Sequence, residues 1–161
     1  MKHNKFVRSG DLLKKRNFVF TNSFVFTNGC FDMFHAGHAS LLNYIKENSP
    51  SNSRLIVGVN SDSSVKSHKG DSRPIIPQDQ RAYMVACHEA VSHVFIFTEK
   101  DVSKYIDTLH PKLWFKGGDY DLSTLNQKEV EACESVGTQI KFVPLLDGWS
   151  TTKIISEVKS R

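Results

Sequence analysis

The fold is decided by residues 24–38, which read Phe24-Val25-Phe26-Thr27-Asn28-Gly29-Cys30-Phe31-Asp32-Met33-Phe34-His35-Ala36-Gly37-His38. The first four residues are aromatic or β-branched, which predicts a β-strand, and a helical pattern begins near His38. Between them the sequence predicts a glycine-containing turn that carries two histidines to the N-terminus of a helix. Unpaired backbone N–H groups and the positive end of the helix dipole favour phosphate there.

The pattern His35-Ala36-Gly37-His38 suits a phosphate ligand. Gly37 has no Cβ and lets a ligand approach the backbone closely, while His35 and His38 can direct ring N–H donors at the same oxygens. From the chain's composition an H-x-G-H pattern is expected by chance about 0.02 times. Two alternatives stay open, namely histidines that only cap a helix and a zinc site that also uses Cys30 but lacks a fourth ligand with suitable spacing.

The rest of the chain alternates between strand and helix patterns. Strands are predicted at residues 55–59, 93–97, 113–115 and 140–143, and helices at residues 39–47, 78–90, 103–109 and 127–136. The polar segment 66–73 is interpreted as a loop. Such alternation predicts an α/β fold, a Rossmann-like doubly wound sheet of about five parallel strands with helices on both faces. Ligands should then bind beyond the carboxyl ends of the strands.

A chain of 161 residues is long enough for one domain. Six of its 21 lysines and arginines lie in the first sixteen positions, and from residue 17 onward 15 basic residues face 16 acidic ones. We therefore divide the chain into a basic N-terminal arm, residues 1–23, ordered only in part, and a domain of residues 24–161. Since the basic charge belongs to the arm, a nucleic-acid partner is not expected.

The pentapeptide FVFTN at residues 18–22 recurs at 24–28, and only the second copy is assigned to the first strand.

Composition indicates a soluble protein. Charged residues make up 24% of the chain, and no apolar run approaches the ~18 residues of a membrane helix. We find no export signal, and three cysteines without C-x-x-C spacing fit a reducing compartment. The expected location is the cytoplasm, with no membrane partner.

Residues 27–32 followed by His35-Ala36-Gly37-His38 resemble the signature of the H-x-G-H nucleotidyltransferase superfamily, the cytidylyltransferase-like proteins. Further motifs follow in the order found in heptose 1-phosphate adenylyltransferases. These are Asn60-Ser61-Asp62, Lys66, residues 69–74, Gln80-Arg81, Lys116-Gly117-Gly118-Asp119-Tyr120 and Gly148-Trp149-Ser150-Thr151-Thr152. Two aromatic residues depart from the usual pattern, Trp114 and Trp149. The Trp149 ring either stacks on a base or closes the pocket, or it packs at the pocket rim.

The resemblance implies an enzyme that transfers AMP from ATP to D-glycero-D-manno-heptose 1-phosphate, giving ADP-heptose and pyrophosphate for lipopolysaccharide biosynthesis. It implies Mg²⁺ held mainly through the nucleotide phosphates, a homodimer, and a sugar kinase as a separate protein. One alternative is a cytidylyltransferase that uses CTP and glycerol 3-phosphate or another alcohol phosphate. A less favoured one is a nucleotide- or nucleic-acid-binding module without catalysis.

The resemblance also assigns roles residue by residue. The catalytic residues would be His35, His38 and Lys66. Nucleotide contacts would come from Thr27, Asn28, Gly29, Phe31, Asp32, Gly37, Arg81, Lys116, Gly117, Gly118, Asp119, Ser150, Thr151 and Thr152. Purely structural roles remain as alternatives for three of these sites. They are an exposed helix arginine at position 81, an ordinary N-cap at residues 150–152 and a plain turn at residues 117–119.

The chemistry agrees with these residue types. A sugar phosphate is largely ionised at neutral pH, because its second pKa is about 6, and it needs no general base. The enzyme has to align that oxygen with the α-phosphate and stabilise charge on the phosphoryl oxygens. Histidines, backbone amides, lysines and Mg²⁺ suit that task, and no nucleophilic serine or cysteine set is required.

Overall fold

The computed structural model describes residues 4–14, 24–118, 120–144, 146 and 148–161. The site residue Asp119 and the first FVFTN copy lie outside this part of the chain, so their predictions stay predictions. The described residues form five strands: β1 Phe24–Gly29, β2 Arg54–Asn60, β3 Val91–Phe97, β4 Leu113–Gly117 and β5 Gln139–Val143. Their helices are α1 Ser9–Lys14, α2 Ala36–Glu47, α3 Asp62–Lys69, α4 Gln78–Cys87, α5 Ser103–Leu109, α6 Gln127–Val136 and α7 Thr151–Lys159.

The strands form one sheet in the order β3-β2-β1-β4-β5, and every pair is parallel. Neighbouring side chains of β1 are buried on opposite faces of the sheet. Phe26 belongs to one core cluster with Phe95 and Trp114, whereas Val25 belongs to the other with Leu42. Both faces are therefore covered, and the predicted doubly wound α/β fold is confirmed.

The position of β1 in the middle of the sheet determines where a ligand can bind. The chain passes from β1 outward through β2 to β3, and then crosses to β4 and β5 on the other side of β1. The connections that follow β1 and β4 therefore leave the sheet in different directions and open a crevice at the carboxyl edge. The H-x-G-H segment lies at this crevice because it directly follows β1.

Part of the basic arm pairs with the outer strand β3. The N–H of Val7 donates to the carbonyl of Val94 at 2.9 Å, and the N–H of Val94 donates to the carbonyl of Lys5 at 2.9 Å. Leu12 of α1 is buried in the first core cluster. These contacts satisfy backbone groups on an otherwise open sheet edge.

No helix within the described ranges is long and apolar enough to cross a membrane.

Candidate active site

Two adjoining cavities lie at the carboxyl edge of the sheet. The first has a volume of about 250 Å³ and is lined by both motif histidines, by Gly117 and Gly118 after β4, and by the start of α7. The second, of about 500 Å³, is lined by residues after β1 and β4 and by residues of α6. The two cavities share five lining residues, His38, Leu41, Lys69, Gly117 and Thr151. The two cavities therefore adjoin along these residues, which include His38.

The two histidines form a cap at the start of α2. The Nδ1 atom of His35 accepts the N–H of Gly37 at 3.1 Å, and the Nδ1 atom of His38 accepts the N–H of His35 at 3.4 Å. The rings stack with centroids 3.9 Å apart. A Cβ on Gly37 would lie 3.0 Å from Cε1 of His35, so a larger residue at this position would require the His35 ring to shift.

The surroundings of both rings favour the neutral form. The pKa of His38 is lowered to about 3, chiefly by burial and also by the neighbouring His35 and Lys69. Burial also lowers the pKa of His35. Because each Nδ1 is an acceptor, the single ring proton must be on Nε2. The pair thus offers two N–H donors to the first cavity without carrying charge.

The start of α7 forms another wall of the first cavity, as predicted for residues 150–152. The Oγ of Ser150 caps the helix by accepting the N–H of Lys153 at 3.1 Å. This is the ordinary N-cap role that the sequence analysis gave as the alternative for this residue. Thr151 donates its hydroxyl to the carbonyl of Asp32 at 2.8 Å. This bond ties the helix start to the segment after β1, and Thr152 lines the same cavity.

Gly117, Gly118 and Trp149 lie on the same cavity. Gly118 has a φ of +116°, which only glycine adopts without strain, so the turn after β4 brings bare backbone to the cavity. The Trp149 side chain is 52% exposed. An aromatic ring that is open to solvent beside bare backbone can cover a flat ligand.

The carboxylate of Asp32 forms hydrogen bonds with other residues of the protein. It accepts the N–H groups of Ile75 and Ile76 and the Nε–H of Arg73, and Arg73 Nη2 lies 2.7 Å from Oδ2. Burial raises the pKa of Asp32, but these hydrogen bonds outweigh it and the pKa is lowered overall. The ionised carboxylate thus holds the loop before α4 and places Arg73 on the first cavity.

The predicted contacts on β1 divide into two groups. Thr27 is fully buried and donates its hydroxyl to the carbonyl of Phe115 at 2.9 Å, so it joins β1 to β4. Asn28, Gly29 and Phe31 line the second cavity. The Oδ1 of Asn28 accepts the indole N–H of Trp114 at 3.1 Å, which leaves the amide N–H₂ of Asn28 available to a ligand.

The lysine at the junction of the cavities is Lys69. Lys66 is exposed and absent from the described lining of both cavities, whereas Lys69, three residues later on α3, lines both. Sequence reasoning included Lys69 in the motif of residues 69–74 but gave it no role, because it interpreted the segment 66–73 as a loop. In a helix that begins at Asp62 and ends at Lys69, the last residue is the one that reaches the junction.

Arg81 is a buried anchor, and the reading of an exposed helix arginine is wrong. Its side chain is fully buried. The guanidinium donates to four oxygens, the carbonyls of Cys30, Asn60 and Ile76 and a carboxylate oxygen of Asp62. It therefore binds together the segments after β1, after β2 and before α4 that surround the site. In this structure its contacts are with the protein.

Lys116 belongs to the second cavity. Its ammonium lies 3.8 Å from Oε2 of Glu129 and 4.7 Å from the centroids of the Trp114 and Tyr120 rings. Glu129, on α6, also lines this cavity and is 5% exposed. Sequence reasoning missed Glu129, since a glutamate in an amphipathic helix carries no signal of burial.

A protein-held metal centre has little support in the described part of the chain. Among those residues no group of three histidine, cysteine, aspartate or glutamate side chains is arranged to hold a metal ion, and this includes the zinc set of Cys30, His35 and His38. The described lining of the first cavity contains histidines, lysine and arginine but no carboxylate.

Comparison with known proteins agrees with this geometry. The family model described as cytidylyltransferase-like matches residues 26–157. The chain is 39% identical over 137 residues to "Bifunctional protein HldE" of Syntrophotalea carbinolica, covering 85% of this chain and 27% of the relative. It is 44% identical over 136 residues to the protein of that name from Nitratiruptor sp., covering 84% and 28%. The chain thus spans 27% to 28% of the length of these relatives.

Two solved structures share the fold. The lipopolysaccharide core biosynthesis protein from Thermoplasma volcanium has a TM-score of 0.61 and 22% identity, covering 78% of this chain and 97% of that one. The pantoate-beta-alanine ligase from Francisella tularensis has a TM-score of 0.59 and 16% identity, covering 96% and 76%. The resemblance that the H-x-G-H segment indicates is therefore confirmed, and the chain belongs to the cytidylyltransferase-like family of nucleotidyltransferases.

Proposed function

We propose that this protein transfers AMP from ATP to a heptose 1-phosphate, forming ADP-heptose and pyrophosphate. The observation that carries the proposal is the neutral histidine pair in one cavity with the α7 start, which is an arrangement of N–H donors for phosphate. The choice of adenine and heptose is supported by the relatives named HldE and by the motif order from Asn60 to Thr152.

In this proposal the first cavity takes the nucleotide. The β- and γ-phosphates lie at residues 150–152, where backbone N–H groups of α7 have no partner within the helix. The base and ribose lie against Gly117, Gly118 and Trp149. The α-phosphate then lies beside His38, at the junction with the second cavity.

The transfer itself needs no proton from the histidines. An oxygen of the acceptor phosphate forms a bond to the α-phosphorus, the bond from that phosphorus to the bridging oxygen breaks, and pyrophosphate leaves with the electron pair. His35 and His38 stabilise the negative oxygens of the transferring group through their Nε2–H donors. Because the pKa of each ring is lowered, the neutral form that carries these donors is favoured at neutral pH.

Mg²⁺ enters as part of the metal–nucleotide substrate. A carboxylate-poor cavity suits this arrangement, because Mg²⁺ commonly keeps phosphate oxygens and waters as ligands. When bound, the ion neutralises charge on the triphosphate. Lys69 and Arg73 supply further positive charge on the described lining of the same cavity.

The proposal is tested by following pyrophosphate release from ATP, CTP, GTP and UTP with several phosphorylated acceptors in the presence of Mg²⁺. We expect ATP with heptose 1-phosphate to be far faster than CTP with glycerol 3-phosphate. A preference for CTP and an alcohol phosphate would overturn the substrate assignment and keep the reaction type. Absence of pyrophosphate release with every pair would contradict the proposed reaction and favour the alternative of a non-catalytic binding module.

Trp149 is expected to report nucleotide binding. ATP should quench the fluorescence of the protein, because the exposed ring lies on the first cavity while Trp114, the other tryptophan, is fully buried. The Trp149→Phe variant should lose most of this signal. Trp149→Ala should weaken ATP binding by roughly 2- to 10-fold, as expected for a lost aromatic contact. Quenching that persists in Trp149→Phe would show that the ring lies away from the nucleotide.

A further inference from the structure

The Lys116–Glu129 pair is unusual in the second cavity because both members are buried while their facing charged atoms do not hydrogen-bond to each other. Lys116 is 8% exposed and Glu129 is 5% exposed. Their closest atoms, Nζ and Oε2, are 3.8 Å apart, which is beyond hydrogen-bond distance. Oε1 of Glu129 accepts the N–H of Val102 at 3.1 Å, so Oε2 is the oxygen that faces the lysine.

Burial of such a pair is costly unless other hydrogen bonds complete it. Burial lowers the pKa of Lys116 and raises the pKa of Glu129, although each partner opposes the shift of the other. A ligand hydroxyl placed between them would donate to Oε2 and accept from the ammonium. One hydroxyl would thus satisfy both groups at once.

The position of the pair relative to the histidines indicates which ligand would bring that hydroxyl. In an in-line displacement the attacking oxygen and the leaving group lie on opposite sides of the phosphorus. With pyrophosphate at the α7 start in the first cavity, the acceptor must approach from the second cavity. Lys69, on both cavities, then meets the acceptor phosphate, and the sugar extends toward α6.

The remaining lining of the second cavity suits a polyhydroxylated molecule. Asn28, Asn60, Asn126 and Tyr120 are among the residues that line it. Amide groups recognise hydroxyls by donating and accepting hydrogen bonds, and carboxylates recognise them by accepting. A volume of about 500 Å³, twice that of the first cavity, leaves room for a sugar.

We propose that Lys116 and Glu129 bind a hydroxyl of the acceptor sugar and thereby select a sugar phosphate as the substrate of the second cavity. This inference rests on the proposed nucleotidyl transfer. It assigns Lys116 to acceptor binding, whereas the family resemblance implies a nucleotide contact. Glu129 is a specificity residue under this proposal, since it contacts the part of the acceptor that does not react.

The test measures kcat/KM for the acceptor and the dissociation constant of ATP in the Glu129→Gln variant. The glutamine oxygen can still accept the N–H of Val102, so the contact with α5 is kept. We expect kcat/KM for heptose 1-phosphate to fall roughly 10- to 100-fold, as for loss of a hydrogen bond to a charged group. The dissociation constant of ATP, measured by calorimetry, should stay within about twofold, because no contact of the nucleotide is removed.

Two further variants make the result decisive. Glu131→Gln removes the same charge from an exposed position of α6 outside the described cavity lining and should match the parent protein. The double variant Lys116→Met/Glu129→Gln removes both charges, so it folds without an unpaired buried charge and should show the same acceptor defect. An unchanged acceptor kcat/KM in Glu129→Gln, or an equal loss of ATP affinity, overturns the inference. Absence of turnover in the parent protein would instead overturn the proposed function.

Discussion

Replacement of His38 by alanine is expected to lower kcat by roughly 10²- to 10³-fold, the usual effect of removing one preorganised donor to a developing charge. His38 lies where the two cavities meet and carries its proton on Nε2, because Nδ1 accepts the N–H of His35. Alanine removes this donor. The measurement is steady-state turnover with the preferred nucleotide and acceptor, together with a thermal unfolding curve.

His35 needs a different substitution, because its Nδ1 also caps α2. His35→Asn supplies another cap acceptor and removes the ring donor, so we expect a similar loss of kcat with little loss of stability. His88→Ala is the control, since His88 is outside the described lining of both cavities. A folded His38→Ala protein with near-normal turnover would disprove the phosphate role of that ring.

The second large effect is expected in stability. Arg81→Met should lower the free energy of unfolding by about 3–5 kcal/mol, the range for removing one partner of a buried polar network. The substitution leaves the partly buried carbonyls of Cys30, Asn60 and Ile76 without their donor. Urea denaturation measures the change, and Arg54→Met, at an exposed position on β2, is the matched control.

The same variant separates an anchor from a ligand contact. If Arg81 mainly bound the triphosphate, as the motif resemblance implies, Arg81→Met would keep its stability and lose ATP affinity. If Arg81 mainly anchors the three segments around the site, the free energy of unfolding of Arg81→Met should fall. A stable Arg81→Met protein with weak ATP binding would therefore contradict the anchor role.

The fold was predictable because its strands are short apolar runs separated by helices. Residues 55–59 and 93–97 lie within β2 and β3, where burial on both faces selects β-branched and aromatic residues. The helix α3 was missed for the opposite reason. Its sequence is polar, with Val65 as its buried apolar residue, and it is held by a Ser61 cap and by packing that periodicity does not reveal.

The site was predictable where backbone geometry requires particular residues. Gly37 packs closely against the His35 ring, and Ser150 caps a helix, so a sequence pattern identifies both. No sequence pattern reveals the anchoring role of Arg81 or the burial of Glu129, because their partners come mostly from distant segments of the chain. The carbonyls that Arg81 binds belong to residues of every type, so their arrangement appears only in the folded protein.

The most direct test follows the acceptor oxygen. Heptose 1-phosphate with ¹⁸O in its three nonbridging positions is incubated with ATP, Mg²⁺ and the protein, and ³¹P spectroscopy locates the label. If an acceptor oxygen attacks the α-phosphorus beside His38, the diphosphate bridge of the sugar nucleotide contains ¹⁸O and the released pyrophosphate contains none. An unlabelled bridge, labelled inorganic phosphate or the absence of any sugar nucleotide would contradict the account.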